Sequence, residues 1–170
     1  MKKNIVLIGF MGTGKSAVGF RLAQKLKKQF IDMDREIETV TGMSIPDIFR
    51  RHGELRFRSE ERLVARKLSQ RDNLVIATGG GFVLLQDNIE ALGSNGVVIC
   101  LDASPEDIFE RVSRKKGSRP LLKRGTTLND IKDLLQEREP CYACADIRVN
   151  TSGKDIEQVI QEILEAVKQV

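Results

Sequence analysis

The sequence predicts a three-layer α/β fold in which helices cover both faces of a parallel sheet. Short apolar runs alternate along the chain with segments of helical periodicity, the pattern of parallel strands joined by helical crossovers. The 170 residues show no internal repeat and no linker, so we expect a single domain over residues 1–170. Five runs are predicted to form strands: Asn4–Ile8, Phe30–Met33, Leu74–Ala77, Val97–Leu101 and Ile147–Asn150.

The segments between these runs carry helix start signals. Ser104 can cap a helix, the following Pro105 suits a first turn, and the two acidic residues after it complement the helix dipole. Residues 44–47 repeat this arrangement. The last segment has an apolar stripe at helical spacing, which more often packs on a sheet than binds a partner. The stripe consists of Ile156, Val159, Ile160, Ile163, Leu164 and Val167.

The composition is that of an ordinary globular protein. Hydrophobic residues make up 41% of the chain and charged residues 31%, and 28 basic against 24 acidic side chains give a net charge of +4. This mild excess suits anionic small molecules. Aromatic residues are only 5% and no basic run is interleaved with them, so nucleic acid is not an expected partner. The apolar runs are too short to span a bilayer, so no membrane association is expected.

The chain begins with lysines and an apolar run, as a signal peptide does. We interpret Asn4–Ile8 as a mature strand instead, because a glycine-rich motif interrupts the run and no small-residue cleavage site follows. We therefore expect the protein in the cytoplasm. The absence of an obvious apolar surface patch favours a monomer.

The cysteines do not predict a metal or disulfide framework. Cys141 and Cys144 form a C-x-x-C, but there is no second pair and His52 is the sole histidine. A closed zinc site needs about four ligands. A redox C-x-x-C follows a strand at a helix start, whereas this pair lies late in a helical pattern. We interpret the thiols as incidental.

Residues 9–16, "GFMGTGKS", match the phosphate-binding P-loop G-x-x-x-x-G-K-[ST]. The flanks match too, since an apolar strand precedes the motif and "SAVGFRLAQKL" after it has helical character. Glycines let backbone N–H groups approach phosphate oxygens, and the following helix adds its dipole. Lys15 would reach the β- and γ-phosphates, and the Ser16 hydroxyl would bind Mg²⁺. The alternative is a glycine-rich turn that binds nothing.

Three further features follow predicted strands or supply anion-binding groups. Asp32 and Asp34 would share one face if the second strand continued through them, and could serve Mg²⁺ and accept a substrate proton. Thr78 precedes three glycines that would let the backbone contact a substrate. The alternatives are a surface turn and a flexible turn. Guanidinium groups bind carboxylates and phosphates at two points, although each arginine alone could be a surface residue. The candidates are Arg58, Arg119 and Arg138.

Two segments interrupt the alternation of strands and helices. Residues 34–65 contain more helical material than a crossover needs, with the charged run "RRHGELRFRSEER". Residues 114–126 are basic and poorly periodic. Both are candidates for substrate-holding and covering additions to a P-loop core. The alternative for each is a solvated charged face.

Together these motifs resemble the shikimate kinase family over nearly the whole chain. "GFMGTGKS", "DMD", "FRSEE", "ATGGG", "SRPLL" and "REPCY" occur in the family's order and at about its spacing. The resemblance implies a P-loop kinase of the nucleoside-monophosphate-kinase type, with a five-stranded parallel sheet, a helical substrate-binding segment at about 34–65 and a mobile lid at about 114–126. It implies transfer of the ATP γ-phosphoryl group to the 3-hydroxyl of shikimate, giving ADP and shikimate 3-phosphate for aromatic amino-acid synthesis.

The resemblance also implies roles on the nucleotide side. Lys15 would act on the transferred group, with Mg²⁺ held by Ser16 and, through its water shell, Asp32. Arg111 would stack on adenine, and Arg119 would approach on the lid to bridge ATP and substrate. Thr78 could contribute near the metal. The ATP phosphates would be wrapped by Gly12, Thr13, Gly14, Lys15, Ser16 and Ala17.

On the acceptor side, the resemblance implies that Asp34 holds the acceptor hydroxyl as the base. Arg58 and Arg138 would clamp the shikimate carboxylate, with Arg119 approaching from the lid. The ring and its hydroxyls would pack on Gly79, Gly80 and Gly81. Cys141 stands where the family more often has leucine, which we interpret as a packing variation.

Two other functions use the same P-loop. A gluconate kinase would share the motif but has no reason to combine three glycines with two arginines around a carboxylated ring. A nucleotide-binding regulator would be expected to lack Lys15, Asp34 or Arg119, and all three are present.

Overall fold

The computed structural model describes residues 1–114 and 125–170. In these residues, five strands form one parallel sheet in the order β2-β3-β1-β4-β5. The β1 strand, which leads into the P-loop, is therefore central and lies between β3 and β4. The strands are β1 (Asn4–Ile8), β2 (Gln29–Asp32), β3 (Leu74–Ala77), β4 (Gly96–Asp102) and β5 (Ile147–Asn150).

Seven α-helices and a 3₁₀ turn at Phe82–Leu84 accompany the strands in the described residues. None of these helices is both long and apolar enough to cross a bilayer. The helices are α1 (Lys15–Leu26), α2 (Met33–Thr41), α3 (Ile45–Ser69), α4 (Gln86–Gly93), α5 (Pro105–Arg114), α6 (Leu128–Tyr142) and α7 (Ile156–Val167).

The strand predictions are confirmed except at two places. β4 is one residue longer at each end, because Gly96 pairs with Asn4 and Asp102 pairs with Asn150. β2 runs from Gln29 to Asp32, one residue earlier at each end than the predicted Phe30–Met33, so the expectation that Asp32 and Asp34 alternate along one strand is wrong. The Asp32 carboxylate accepts the backbone N–H of Asp34 and of Arg35, so it caps a helix that begins at Met33.

The core lies on both faces of the sheet, as the three-layer prediction requires. Helices α1 and α7 cover one face, where Val18 and Leu22 pack with the buried side chains of the C-terminal stripe. The other face is covered by α2–α6 and includes Ile37, Val64 and Ile131. The buried members of the stripe are Val159, Ile160 and Ile163.

The two predicted helix starts are confirmed. The Ser44 hydroxyl accepts the N–H of Asp47, and the Ser104 hydroxyl accepts the N–H of Asp107, each at 3.2 Å. The first cap begins α3, which bends within its length because Gly53 has φ +82° and ψ 178°. This break separates the start of α3 from the turn that carries Arg58.

Candidate active site

A cleft of about 610 Å³ opens at the carboxyl edge of the sheet, where the loops after β1 and β3 and the start of α2 meet. Most of the predicted site residues line it. Thr13, Asp32 and Arg138 do not line it, and Arg119 lies outside the described residues, as does most of the predicted lid. The predicted residues that line the cleft are Gly12, Gly14, Lys15, Ser16, Ala17, Asp34, Arg58, Thr78, Gly79, Gly80, Gly81 and Arg111.

The P-loop has the conformation of an anion site. Gly14 has φ +97°, a left-handed conformation that glycine tolerates, and it leads directly into α1. The first turn of α1 has no acidic residue and no side-chain cap, so its N–H groups and dipole remain suited to an anion. The Lys15 ammonium donates to the carbonyls of Gly9 (2.7 Å) and Phe10 (2.9 Å), which keeps this charge inside the loop.

Thr13 is buried and shapes the loop from within. Its hydroxyl donates to the Phe10 carbonyl at 2.8 Å, while its own carbonyl accepts the hydroxyl of Thr151 at 3.1 Å. Arg111 on α5 donates to the Gly12 carbonyl at 3.0 Å. Its guanidinium therefore lies beside the P-loop, at the nucleotide end of the cleft.

Ser16 and Asp32 together present oxygens suited to a hard cation. The Ser16 hydroxyl donates to Asp32 Oδ2 at 2.6 Å, and the other carboxylate oxygen caps α2. A hydroxyl and a carboxylate beside a phosphate loop are the ligand types that Mg²⁺ prefers, directly or through water. The residues present therefore fit a magnesium ion.

Asp34 reaches the cleft from the first turn of α2 and not from a strand. A Cβ atom built on Gly79 would lie 3.0 Å from Asp34 Oδ1 and 3.3 Å from Glu61 Oε2. The first glycine of the "GGG" run thus passes close to two carboxylates. A larger residue at this position would occupy the space between the backbone and these side chains.

Arg58 and Glu61 form a buried ion pair on α3. Arg58 Nη1 donates to Glu61 Oε1 at 2.9 Å, with side-chain exposures of only 11% and 1%. Glu54, which is exposed, lies 3.4 Å from the other end of the guanidinium. A Cβ atom on Gly81 would meet Arg58 Nη2 at 2.3 Å, so the same glycine run borders this pair.

Burial raises the pKa of Glu61 to about 6. The attraction and hydrogen bond of Arg58 oppose this rise, and the nearby Asp34 and Glu54 carboxylates add to it. Glu61 is accordingly ionised at neutral pH but gains a proton in mildly acidic solution. The cleft therefore places the Arg58 guanidinium beside the Asp34 and Glu61 carboxylates in a region largely shielded from water.

Arg138 on α6 also contacts the glycine run. Its Nη1 donates to the Gly80 carbonyl at 3.1 Å, and its guanidinium lies 5.2 Å from the centroid of the Phe10 ring. Gly80 therefore lies between Arg138 and the P-loop, since a Cβ atom there would be 3.3 Å from the backbone nitrogen of Met11.

Two residues near these groups were not predicted from the sequence. Glu61 had a weak signal, because it lies three residues after Arg58 in "FRSEE" and would share its side of a helix. Thr151 had none, since it follows a strand far along the chain and joins the P-loop only through the fold. Thr78, a lesser candidate, is buried and donates to the Leu7 carbonyl at 2.9 Å, so its hydroxyl links β3 to β1.

Comparisons with known proteins agree with this geometry. The sequence profile of the shikimate kinase family matches residues 11–168. A shikimate kinase from Pelotomaculum thermopropionicum is 54% identical over 167 residues, which is 98% of this chain and 96% of that protein. A shikimate kinase from Acinetobacter baumannii, solved in complex with shikimate, superposes with a TM-score of 0.93 at 38% identity, covering 99% of this chain and 94% of that one.

A gluconokinase from Sinorhizobium meliloti superposes with a TM-score of 0.60 at 15% identity, covering 99% of this chain and 93% of that one. Such a likeness concerns the fold alone, so it does not support the gluconate alternative. Sequence identity of 54% over 98% of the chain assigns the protein to one family. The P-loop beside a cleft lined by arginine and carboxylate side chains agrees with this assignment. The protein belongs to the shikimate kinase family of ATP-dependent kinases.

Proposed function

We propose that this cleft transfers the γ-phosphoryl group of ATP to the 3-hydroxyl of shikimate. The observation that carries the proposal is the meeting of the P-loop with the glycine run of residues 79–81, which borders Asp34, Arg58 and Arg138. One loop suits phosphates, and the other is surrounded by groups suited to a carboxylate and a hydroxyl. We further propose that the enzyme acts as a monomer in the cytoplasm.

On the nucleotide side, backbone N–H groups of residues 12–17 bind the ATP phosphates, assisted by the dipole of α1. Lys15 leaves its carbonyl partners to contact the transferred group, and Arg111 stacks on adenine. Ser16 and Asp32 are the residues that would hold Mg²⁺. When bound, the ion would neutralise phosphate charge.

On the acceptor side, Arg58 and Arg138, which both border the glycine run, bind the shikimate carboxylate. Glu61 keeps the Arg58 guanidinium oriented through their 2.9 Å contact. Gly79, Gly80 and Gly81 pack on the ring and its hydroxyls. Asp34 accepts the hydroxyl proton, so that the oxygen attacks phosphorus as the bond to the β-phosphate oxygen breaks.

The segment at 114–126 is proposed as a lid that closes over both ligands. Arg119 comes in with it and bridges the phosphates and the acceptor, where an arginine stabilises the negative charge of the transition state. Closure also excludes water, which would otherwise compete as the phosphoryl acceptor.

The proposed reaction predicts that ADP release depends on shikimate. With ATP and Mg²⁺ present, we expect rapid ADP formation when shikimate is added and only background formation with gluconate or with no acceptor. A coupled ADP assay measures this. Turnover with gluconate alone would contradict the assignment of the arginines to a ring carboxylate, and binding of ATP without acceptor-dependent turnover would indicate a regulator.

Replacing the proposed base should separate binding from chemistry. Asp34→Asn retains the size of the side chain but removes its basicity, so we expect kcat to fall by about 10²- to 10⁴-fold while ATP affinity is retained. Steady-state kinetics and ATP titration by calorimetry provide the two readouts. Glu36→Gln on the same helix is the control, because Glu36 does not line the cleft. Normal turnover in Asp34→Asn would exclude its role as base.

Removing the proposed carboxylate ligand should affect one substrate selectively. Arg58→Ala deletes a charge-assisted contact, so we expect KM for shikimate to rise roughly 10- to 100-fold with little change in KM for ATP. Arg56→Ala is a matched control, since Arg56 is half-exposed and pairs with Glu60. Equal losses for both substrates would remove Arg58 from the acceptor pocket.

The buried Glu61 carboxyl should make folding stability depend on pH. Because burial raises its pKa from 4.5 to about 6, the folded state holds a proton that the unfolded state releases in this range. The contribution of Glu61 to stability is therefore full below pH 4.5 and is lost as the pH rises through about 6. This increase in the pKa of Glu61 corresponds to about 2 kcal/mol in the free energy of unfolding.

Urea unfolding tests the effect when it is measured from about pH 4 to about pH 8, a range that spans the titration of Glu61. We expect the free energy of unfolding of the wild type relative to Glu61→Gln to decrease by about 2 kcal/mol as the pH rises. Glu60→Gln is the control on the same helix, since Glu60 pairs with Arg56 and not with Arg58, and it should keep the wild-type slope. Parallel curves for wild type and Glu61→Gln would contradict the prediction.

A further inference from the structure

The surroundings of Arg138 account for only part of its hydrogen-bonding capacity. One N–H is donated to the Gly80 carbonyl, and one face of the guanidinium rests near the Phe10 ring. A guanidinium has five N–H donors arranged in a plane. If two of them face a substrate carboxylate, donors at the opposite edge remain available to a further protein group, which would help to fix the plane.

Tyr142 provides such a group. It lies four residues after Arg138, at the end of α6, and so shares a side of the helix with it. The residue is only 2% exposed, and its hydroxyl oxygen is buried without a hydrogen bond of normal geometry to any described residue. A buried phenol in this state is unfavourable and calls for an explanation.

Arg138, one helical turn before Tyr142, is the charged neighbour of the phenol. Burial raises the pKa of Tyr142, and the positive charge of Arg138 opposes the rise. The hydroxyl therefore stays neutral and can accept an N–H. Cys100 is also nearby, but burial raises the pKa of its thiol to about 12, so it supplies no charge.

We infer that Tyr142 is a positioning residue for substrate binding: its hydroxyl accepts an N–H of Arg138 and fixes the guanidinium plane toward the acceptor carboxylate. The inference rests on the proposed role of Arg138 as a carboxylate ligand. The side chain of Tyr142 does not line the cleft, so it acts through Arg138 and not on the substrate.

The Tyr142→Phe variant tests this with almost no change in shape. We expect KM for shikimate to rise by about tenfold, with kcat and KM for ATP near the wild-type values. Urea unfolding should show a stability close to that of the wild type, because the loss of one accepted N–H is offset by removal of a buried O–H that has no acceptor among the described residues. A structural role alone would instead lower stability and affect both substrates.

Spectroscopy adds a readout specific to this side chain. The sequence has one tyrosine and no tryptophan, so near-ultraviolet absorption reports Tyr142 directly. We expect shikimate alone to produce a saturable difference spectrum, because binding tightens the contact between the phenol and Arg138. A spectrum unchanged at saturating shikimate would overturn the inference.

Arg138→Lys keeps the charge and removes the planar fork, which separates the inference from the function it rests on. If Arg138→Lys leaves KM for shikimate unchanged, the carboxylate role of Arg138 fails and the inference fails with it. If Arg138→Lys raises KM but Tyr142→Phe does not, only the inference fails. We expect the effect of Tyr142→Phe to vanish in the Arg138→Lys background, and persistence there would also overturn it.

Discussion

The contact between two backbone loops is the constraint on which the rest of the site depends. β1 and β3 are hydrogen-bonded neighbours at the centre of the sheet, so the P-loop and the glycine run leave the same edge side by side. At Gly80 a Cβ atom would be 3.3 Å from both the nitrogen and the Cβ of Met11. Because glycines lack side chains, the backbone that borders the proposed acceptor site can come this close to the phosphate loop.

Because the two loops are this close, single residues contact both the P-loop and the groups that border the glycine run. The two carboxylate oxygens of Asp32 have separate tasks, one toward the Ser16 hydroxyl and one toward the backbone N–H of Asp34. The proposed metal site and the proposed base are thus held by one residue. Phe10 also has two separate contacts: its carbonyl accepts an N–H of the Lys15 ammonium, and its ring lies near the Arg138 guanidinium.

The buried ion pair of Arg58 and Glu61 is better understood as orientation than as stability. Removing two charges from water is unfavourable, and replacement of such pairs by apolar residues is often neutral or stabilising. The raised pKa of Glu61 reflects this cost. What the pair provides is a guanidinium held in one direction beside the glycine run, before any ligand arrives.

The sequence by itself determined the layered α/β fold and the P-loop, and it identified most of the residues that line the cleft. Strand periodicity, glycine spacing and capping residues act over short distances, so a local pattern reveals them. It misassigned the backbone of Asp34, since the strand pattern did not reveal that the Asp32 side chain would cap a helix. It also left Glu61 nearly unmarked and Thr151 unmarked.

Only the tertiary structure decided which charged side chains are buried and which distant residues meet. Arg58 and Arg56 look alike in the sequence, yet one lies against a buried glutamate and the other is half-exposed. Tyr142 became significant for the same reason, as its side chain is buried in a core cluster with residues of other elements and its hydroxyl is buried with it. Burial and contacts between elements arise from the packing of the whole chain, and a local pattern of residues does not contain them.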